Sequence, residues 1–153
     1  MNKTIAAFLL VFFMRPAFGA ELVGGPMIGH TTDRSVRIWA RLNAEADLVV
    51  AADKSPDMTN PLTSKPVRVL KQDDFSGVAD IDGLEALTRY HYDVLVDGKS
   101  VLKKPLPSFQ TFPREGQPAK VRVLFGGGIK FNIDLEQKIW GDMAGQEATA
   151  MIE

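Results

Sequence analysis

From Glu21 to about Pro113 the chain alternates between short runs of period two and clusters of turn residues. Ser35 to Leu42 is the clearest run: Val36, Ile38, Ala40 and Leu42 fall on one side, and Arg37, Trp39 and Arg41 on the other. That is the pattern of a half-buried strand. Tyr90, Tyr92, Val94 and Val96 alternate in the same way with Arg89, His91, Asp93 and Leu95, and Asp97-Gly98 then marks a hairpin. Phe75, Gly77, Ala79 and Ile81 share one face of a further strand. Leu48–Ala52 and Val67–Leu70 read as two more, with a loop over Asp53–Lys65. Ser100–Leu102 begins the return strand of the hairpin, and Phe109–Phe112 continues it after Pro105 and Pro107. Near the start, Leu22-Val23 and Met27-Ile28 are separated by a predicted break at Gly24-Gly25-Pro26. Roughly seven short strands at this spacing predict a β-sandwich. The stretch Leu84 to Tyr92 sharpens the expectation. A leucine in a corner followed by a tyrosine opening a strand is the signature of a tyrosine corner, whose hydroxyl bonds back to nearby backbone.

The period changes after a polar stretch, Pro113 to Ala119, that reads as a linker. Val121, Val123, Leu124 and Phe125 form a nearly continuous apolar run, suited to a strand covered on both faces. Gly126-Gly127-Gly128 reads as the loop at its end. Asp134 to Gln146 predicts a helix, with Asp134 and Gln137 as a capping box and Leu135, Ile139, Met143 and Trp140 as its apolar stripe. Ala148 to Ile152 predicts the start of a second strand, so this part reads as the opening strand–helix–strand of an α/β domain that the sequence does not complete. The domain reading is therefore a signal peptide over 1–20, a β-sandwich over 21–113, a linker over 114–119 and the start of a second domain over 120–153. The fold class is mostly β: a fibronectin- or immunoglobulin-like sandwich followed by an incomplete α/β unit.

Composition narrows the function. The formal net charge is −1 over 153 residues, which offers no general field for phosphate backbones and argues against nucleic acid as the main partner. Residues 1–20 carry a short positive region at Lys3, an apolar run from Ile5 to Met14 too short to span a bilayer, and small residues Ala17 and Gly19 placed for cleavage after Gly19. The alternatives are cleavage after Ala20, which puts Phe18 at −3, and an uncleaved N-terminal anchor. Export by a general secretory route follows, to a periplasmic or secreted location, with no stable membrane span after cleavage. There are no cysteines and two histidines, so neither disulfides nor a histidine-rich metal site are available from this chain.

The individual candidates for chemistry are weak. The glycine triplet, with Lys130 nearby, is placed to approach an anion, yet Phe131 stands where a dinucleotide fingerprint needs glycine and no Gly-Lys-Ser/Thr follows. His30 reads as a surface turn residue and His91 as a solvated strand residue. Trp39, on the outward side of its strand, is suited to stacking a ring or a sugar, to covering a second sheet or to packing against another domain, and domain packing is the favoured reading. Asp73-Asp74 and Asp80 with Asp82 hint only faintly at calcium. No residue is assigned a catalytic, cofactor-binding or metal role.

The order of parts resembles the N-terminal portion of PhoD-like alkaline phosphatases, a family of secreted metal-dependent phosphomonoesterases and phosphodiesterases within the metallophosphoesterases. Gly25-Pro26-Met27-Ile28-Gly29-His30, then Thr32-Asp33 and Ser35-Val36-Arg37-Ile38-Trp39, are similar to the family's opening motif. Leu84, Thr88, Tyr90, Tyr92, Asp97 and Gly98 resemble a second stretch, with Ala86 where proline is usual, and Phe109-Gln110-Thr111-Phe112-Pro113 a third. The helix from Ile139-Trp140 to Gln146 resembles the first helix of the family's catalytic domain. The resemblance implies a sandwich preceding a metallophosphatase domain that uses calcium and iron or other divalent metals to hydrolyse phosphate esters. It also places Gly128 where the family has a metal-binding cysteine, and Met151-Ile152-Glu153 where the approach to a Leu-Gly-Asp metal motif is due. The expectation is a truncated or degenerate exported phosphatase, inactive as this chain alone and holding no cofactor. The alternatives are a free-standing sandwich that binds carbohydrate or protein, and a small phosphate-binding protein built on the glycine loop. Oligomeric state is not legible.

Overall fold

The computed structural model describes residues 19–126, 138–146 and 148–152. In chain order the strands are β1 (Leu22–Thr31), β2 (Ser35–Leu42), β3 (Ala46–Asp53), β4 (Leu62–Thr63), β5 (Val67–Val69), β6 (Ser76–Asp82), β7 (Arg89–Val96), β8 (Lys99–Ser100), β9 (Ser108–Gln110), β10 (Val123–Phe125) and β11 (Ala150–Ile152). One α-helix, α1, spans Ile139–Ala144.

Two antiparallel sheets form a β-sandwich. One is three-stranded, in the order β1-β2-β6. The other runs β4-β3-β7-β8, with β5 also on β3 and β9 also on β7. The period-two pattern dictates the packing. Val36, Ile38, Ala40 and Leu42 of β2, with Ala79 and Ile81 of β6, face Leu48, Val50 and Ala52 of β3 and Tyr90, Tyr92, Val94 and Val96 of β7 in one buried cluster. A one-residue slip in β2 would send Arg37, Trp39 and Arg41 into that core, so register is strongly specified. Gly77 on β6 is required by closeness: a Cβ there would lie 2.9 Å from Val69 Cγ2 and 3.0 Å from Leu48 Cδ2.

The tyrosine corner forms as predicted. The Glu85 N–H donates to Tyr90 Oη at 3.0 Å, with Leu84 buried beneath the corner. Thr111 closes it from the other side: its hydroxyl donates to the Glu85 carbonyl at 2.6 Å and accepts from the Thr88 N–H at 2.9 Å. Phe109 stacks on Tyr90 with centroids 5.8 Å apart. The Asp97-Gly98 turn has positive φ at both residues, the conformation that a two-residue hairpin between β7 and β8 favours.

Several expectations are corrected. Gly24-Gly25-Pro26 does not break the first strand. β1 runs through it as one irregular strand, with register shifts against β2 at three places. His30 therefore lies in strand β1 instead of a turn. The Asp53–Lys65 loop contains the short strand β4. The return strand after the hairpin is only Lys99–Ser100, and the later strand is Ser108–Gln110.

Past the sandwich, β10 and β11 pair in parallel, Val123 with Ala150, Leu124 with Met151 and Phe125 with Ile152. Among the described residues β10 is covered on one face only. Leu124 is half-buried, while Val121 and Val123 are each 45% exposed and Phe125 is 84% exposed. β10 pairs with β11 alone among those residues. Ile139 is likewise exposed, so the predicted stripe of α1 is only partly buried. The capping box at Asp134 and Gln137, and Leu135, lie outside the described residues.

Candidate functional site

Three places were candidates: the seam between the sandwich and the β10–α1–β11 unit, the corner of β3 near Asp53, and the outer face of the three-stranded sheet.

The seam is a groove of about 430 Å³ lined by Arg89, Phe109, Gln110, Leu124, Trp140 and Met143. It arises because β9 is a three-residue edge strand, so the side of β7 and β9 is left for α1 and β11 to approach. Backbone contacts hold the second unit to itself: Thr149 N–H donates to the Arg122 carbonyl at 2.8 Å, and the Arg122 guanidinium bonds the Gln146 carbonyl. Arg89 is turned to Ser108 Oγ at 3.2 Å. The lining offers apolar contact and one guanidinium, with no carboxylate pair and no nucleophile beside a base. It is suited to packing.

At the end of β3 the Asp53 carboxylate is 8% exposed and accepts from the backbone N–H of Ser55 at 3.0 Å and of Asn60 at 2.6 Å. Those bonds, Ser55 first and Asn60 next, hold its carboxyl below the usual carboxylate range. They tie the 54–61 loop to the sheet, a structural task. The pH consequence has a definite sign. Because the folded-state value is depressed, the stabilisation is complete above about pH 4, the unfolded value, and drains away as pH falls through the lower folded value. The expected result is that Asp53→Asn lowers the melting temperature at pH 6, and that the gap to wild type narrows as pH approaches 3. Parallel melting curves at both pH values would contradict it.

On the outer face of the three-stranded sheet, Met27 of β1, Trp39 of β2 and Val78 of β6 are cross-strand neighbours in one row. Arg37 and Arg41 flank Trp39 along β2. Arg37 grips Asp80 with Nε–Oδ1 at 2.8 Å and Nη2–Oδ2 at 3.4 Å. Arg41 reaches the Asp74 carboxylate at 2.8 Å and its carbonyl at 3.1 Å.

The remaining sequence candidates are not brought together. His30 is exposed on β1. His91 faces outward on β7 as expected and is half-exposed, but its Nδ1 is buried and has no hydrogen-bond partner among the described residues, where β7 runs between β3 and β9. Asp74 and Asp80 are engaged by the two arginines, and Asp73 and Asp82 are exposed. Among the described residues no group of three or more histidine, cysteine, aspartate or glutamate side chains is placed to hold a metal ion. Gly126 follows β10, while Gly127, Gly128, Lys130 and Phe131 lie outside the described residues. Also among the described residues, no helix is long and apolar enough to cross a membrane. Thr111 was missed as a site-forming residue. It stands just past the end of β9, at the edge of the predicted Phe109–Phe112 strand, where no local motif marks it.

Comparison with known proteins places this geometry. A solved structure of PhoD superposes over 87% of this chain with a TM-score of 0.71 at 14% identity, so the fold is PhoD-like; the chain spans 26% of that structure's length. Short and long forms of the sensor domain of the anti-sigma factor RsgI4 in Pseudobacteroides cellulosolvens give TM-scores of 0.43 and 0.47 at 16% identity. They cover 61% and 67% of this chain and are themselves covered over 93% and 96%. Scores below 0.5 establish no shared fold. No curated protein matches the sequence. Residues 19–114 match the model of a domain of unknown function, DUF7800, and the chain belongs to that family.

Proposed function

We propose that this chain is the N-terminal portion of an exported PhoD-like phosphatase, in which the sandwich precedes the start of a metallophosphatase domain. The observation that carries the reading is the extent of the PhoD superposition. It covers 87% of the chain, more than the sandwich alone supplies, and so takes in part of the parallel β10–α1–β11 unit. A lone sandwich has no use for a parallel strand pair joined by a helical crossover, whereas an α/β sheet begins with one. The complete enzyme would act on phosphate mono- or diesters outside the cytoplasm, and residues 1–20 would direct its export.

The residues described here do not furnish that family's metal centre. Phosphoryl transfer at metal ions needs carboxylate, amide and imidazole ligands converging from several strand ends. Here Asp74 and Asp80 are held by arginines, His30 stands apart on β1, and His91 lies on the other sheet with its Nδ1 buried. Gly128, at the position of the family's cysteine ligand, has no side chain. This chain alone is therefore expected to leave a chromogenic phosphate mono- or diester unhydrolysed with calcium or iron added. Turnover that follows the protein through successive purification steps would overturn this. The family reading is tested separately by reading the coding sequence past codon 153. A Leu-Gly-Asp motif and a later Gly-Asn-His motif, in frame or in a shifted frame, support it, and unrelated sequence counts against it.

A further inference from the structure

We propose that the outer face of the β1-β2-β6 sheet is a stacking platform for a pyranose ring of a neutral polysaccharide, centred on Trp39. This inference is independent of the phosphatase reading.

The platform is built into the strand pairing. Trp39 needs a floor, and Gly24 and Gly25 of β1 supply it. A Cβ on Gly24 would lie 3.3 Å from Trp39 Cη2, and one on Gly25 would lie 3.2 Å from Cε3. Two side-chain-free residues thus let the six-membered ring of the indole settle along β1. An aromatic ring fixed in this way loses little freedom when a ligand arrives. Met27, 58% exposed, and Val78, 41% exposed, extend the apolar row on either side. Alternate residues on a strand recur about every 7 Å, so Arg37 and Arg41 flank the indole about 7 Å away on each side, a span longer than one sugar ring and suited to a chain of sugars.

The chemistry selects the ligand. A pyranose presents an apolar C–H face to stack and a rim of hydroxyls that both donate and accept. The platform has a flat aromatic centre and a rim of the same mixed kind. Each guanidinium is already paired with a carboxylate, Arg37 with Asp80 and Arg41 with Asp74. The two arginines are each matched by an aspartate, and Asp82, exposed farther along the same face of β6, adds a negative charge, so the patch carries no positive excess, which disfavours phosphate, nucleic acid and acidic glycans. Among the described residues Nη1 of Arg37, Nη1 of Arg41 and the indole Nε1 make no hydrogen bond. Three donors and the outer carboxylate lone pairs therefore stand along the strand on either side of the indole.

The test is affinity electrophoresis of the full chain through gels containing hydroxyethylcellulose, xylan, glucomannan or, as an acidic control, alginate. Retardation by at least one neutral polymer is expected, weakened at least tenfold by Trp39→Ala and partly restored by Trp39→Phe. Thermal melting checks that each variant folds. If Trp39→Ala does not fold, the paired change Arg37→Gln with Asp80→Asn leaves the core alone and is expected to weaken retardation several-fold. The proposal is overturned if no neutral polymer retards the chain, if alginate retards it more strongly, or if retardation survives these changes. Self-association abolished by Trp39→Ala, without any retardation, would also overturn it and assign the face to protein contact.

Discussion

Leu48→Ala is expected to lower the unfolding free energy of the sandwich by about 2–5 kcal/mol, the usual range for emptying a fully buried leucine site. Leu48 has no exposed surface and lies on β3 opposite β6, where it meets the open Cα of Gly77. The same contact makes a second, less obvious result measurable. Gly77→Ala alone forces a methyl group to within 3.0 Å of Leu48 Cδ2 and 2.9 Å of Val69 Cγ2, an overpacking expected to cost about 1–3 kcal/mol. Once Leu48 is alanine, one of those two obstacles is gone and the new methyl occupies part of the vacated space. The double variant should therefore lose less than the sum of its parts, with a coupling of about 0.5–3 kcal/mol. Denaturant unfolding of the four proteins measures it. Strict additivity would mean that β3 and β6 do not approach as described.

Thr111→Val is expected to cost nearly as much, although it removes no volume. The Thr111 side chain is wholly enclosed, and its hydroxyl serves two backbone groups of one corner, the Glu85 carbonyl and the Thr88 N–H. Valine keeps the shape and strands both groups, at about 1–3 kcal/mol for each that finds no new partner. Serine keeps the hydroxyl and loses a methyl, so Thr111→Ser should be the milder change. If valine proves milder than serine, the hydrogen bonds are not what holds the corner. Leu87, at φ +50° within that corner, is a position where a branched residue is held against its own preference. Loss of Thr111 should loosen it, read as faster amide exchange at Leu87 and Thr88.

The sequence made most of the sandwich legible because its strands bury one face. Ser35–Leu42 and Arg89–Val96 alternate without a fault, and both were placed to within a residue. The corner was legible from Leu84 and Tyr90, and the hairpin from Asp97-Gly98, since each motif has a local geometry that few other residues satisfy. At β1 the local pattern misleads for a physical reason. Glycine and proline ordinarily mark turns, but here Gly24 and Gly25 serve a tertiary contact, the indole of Trp39 on the next strand, which no local pattern announces. β4 escaped because two residues are too few to show a period. Alternation gives the side of the strand that His91 takes, yet the burial of its Nδ1 alone cannot be read from it. Thr111 could be seen as a strand residue, but its two bonds join segments 23 and 26 residues distant. The seam depends on how the second unit approaches β9, a placement that periodicity within either segment does not encode.

The irregularity of β1 also bears on how the molecule survives at high concentration. β1 is an outermost strand of its sheet, and a flat edge of unpaired amides and carbonyls invites another copy to add a strand. Its alignment with β2 slips at three places, and Pro26 offers no amide hydrogen at all. A neighbouring chain that tried to zip along this edge would lose step within two or three residues. The glycine-proline segment that seats Trp39 thus also works as a guard against fibril-like growth from that side.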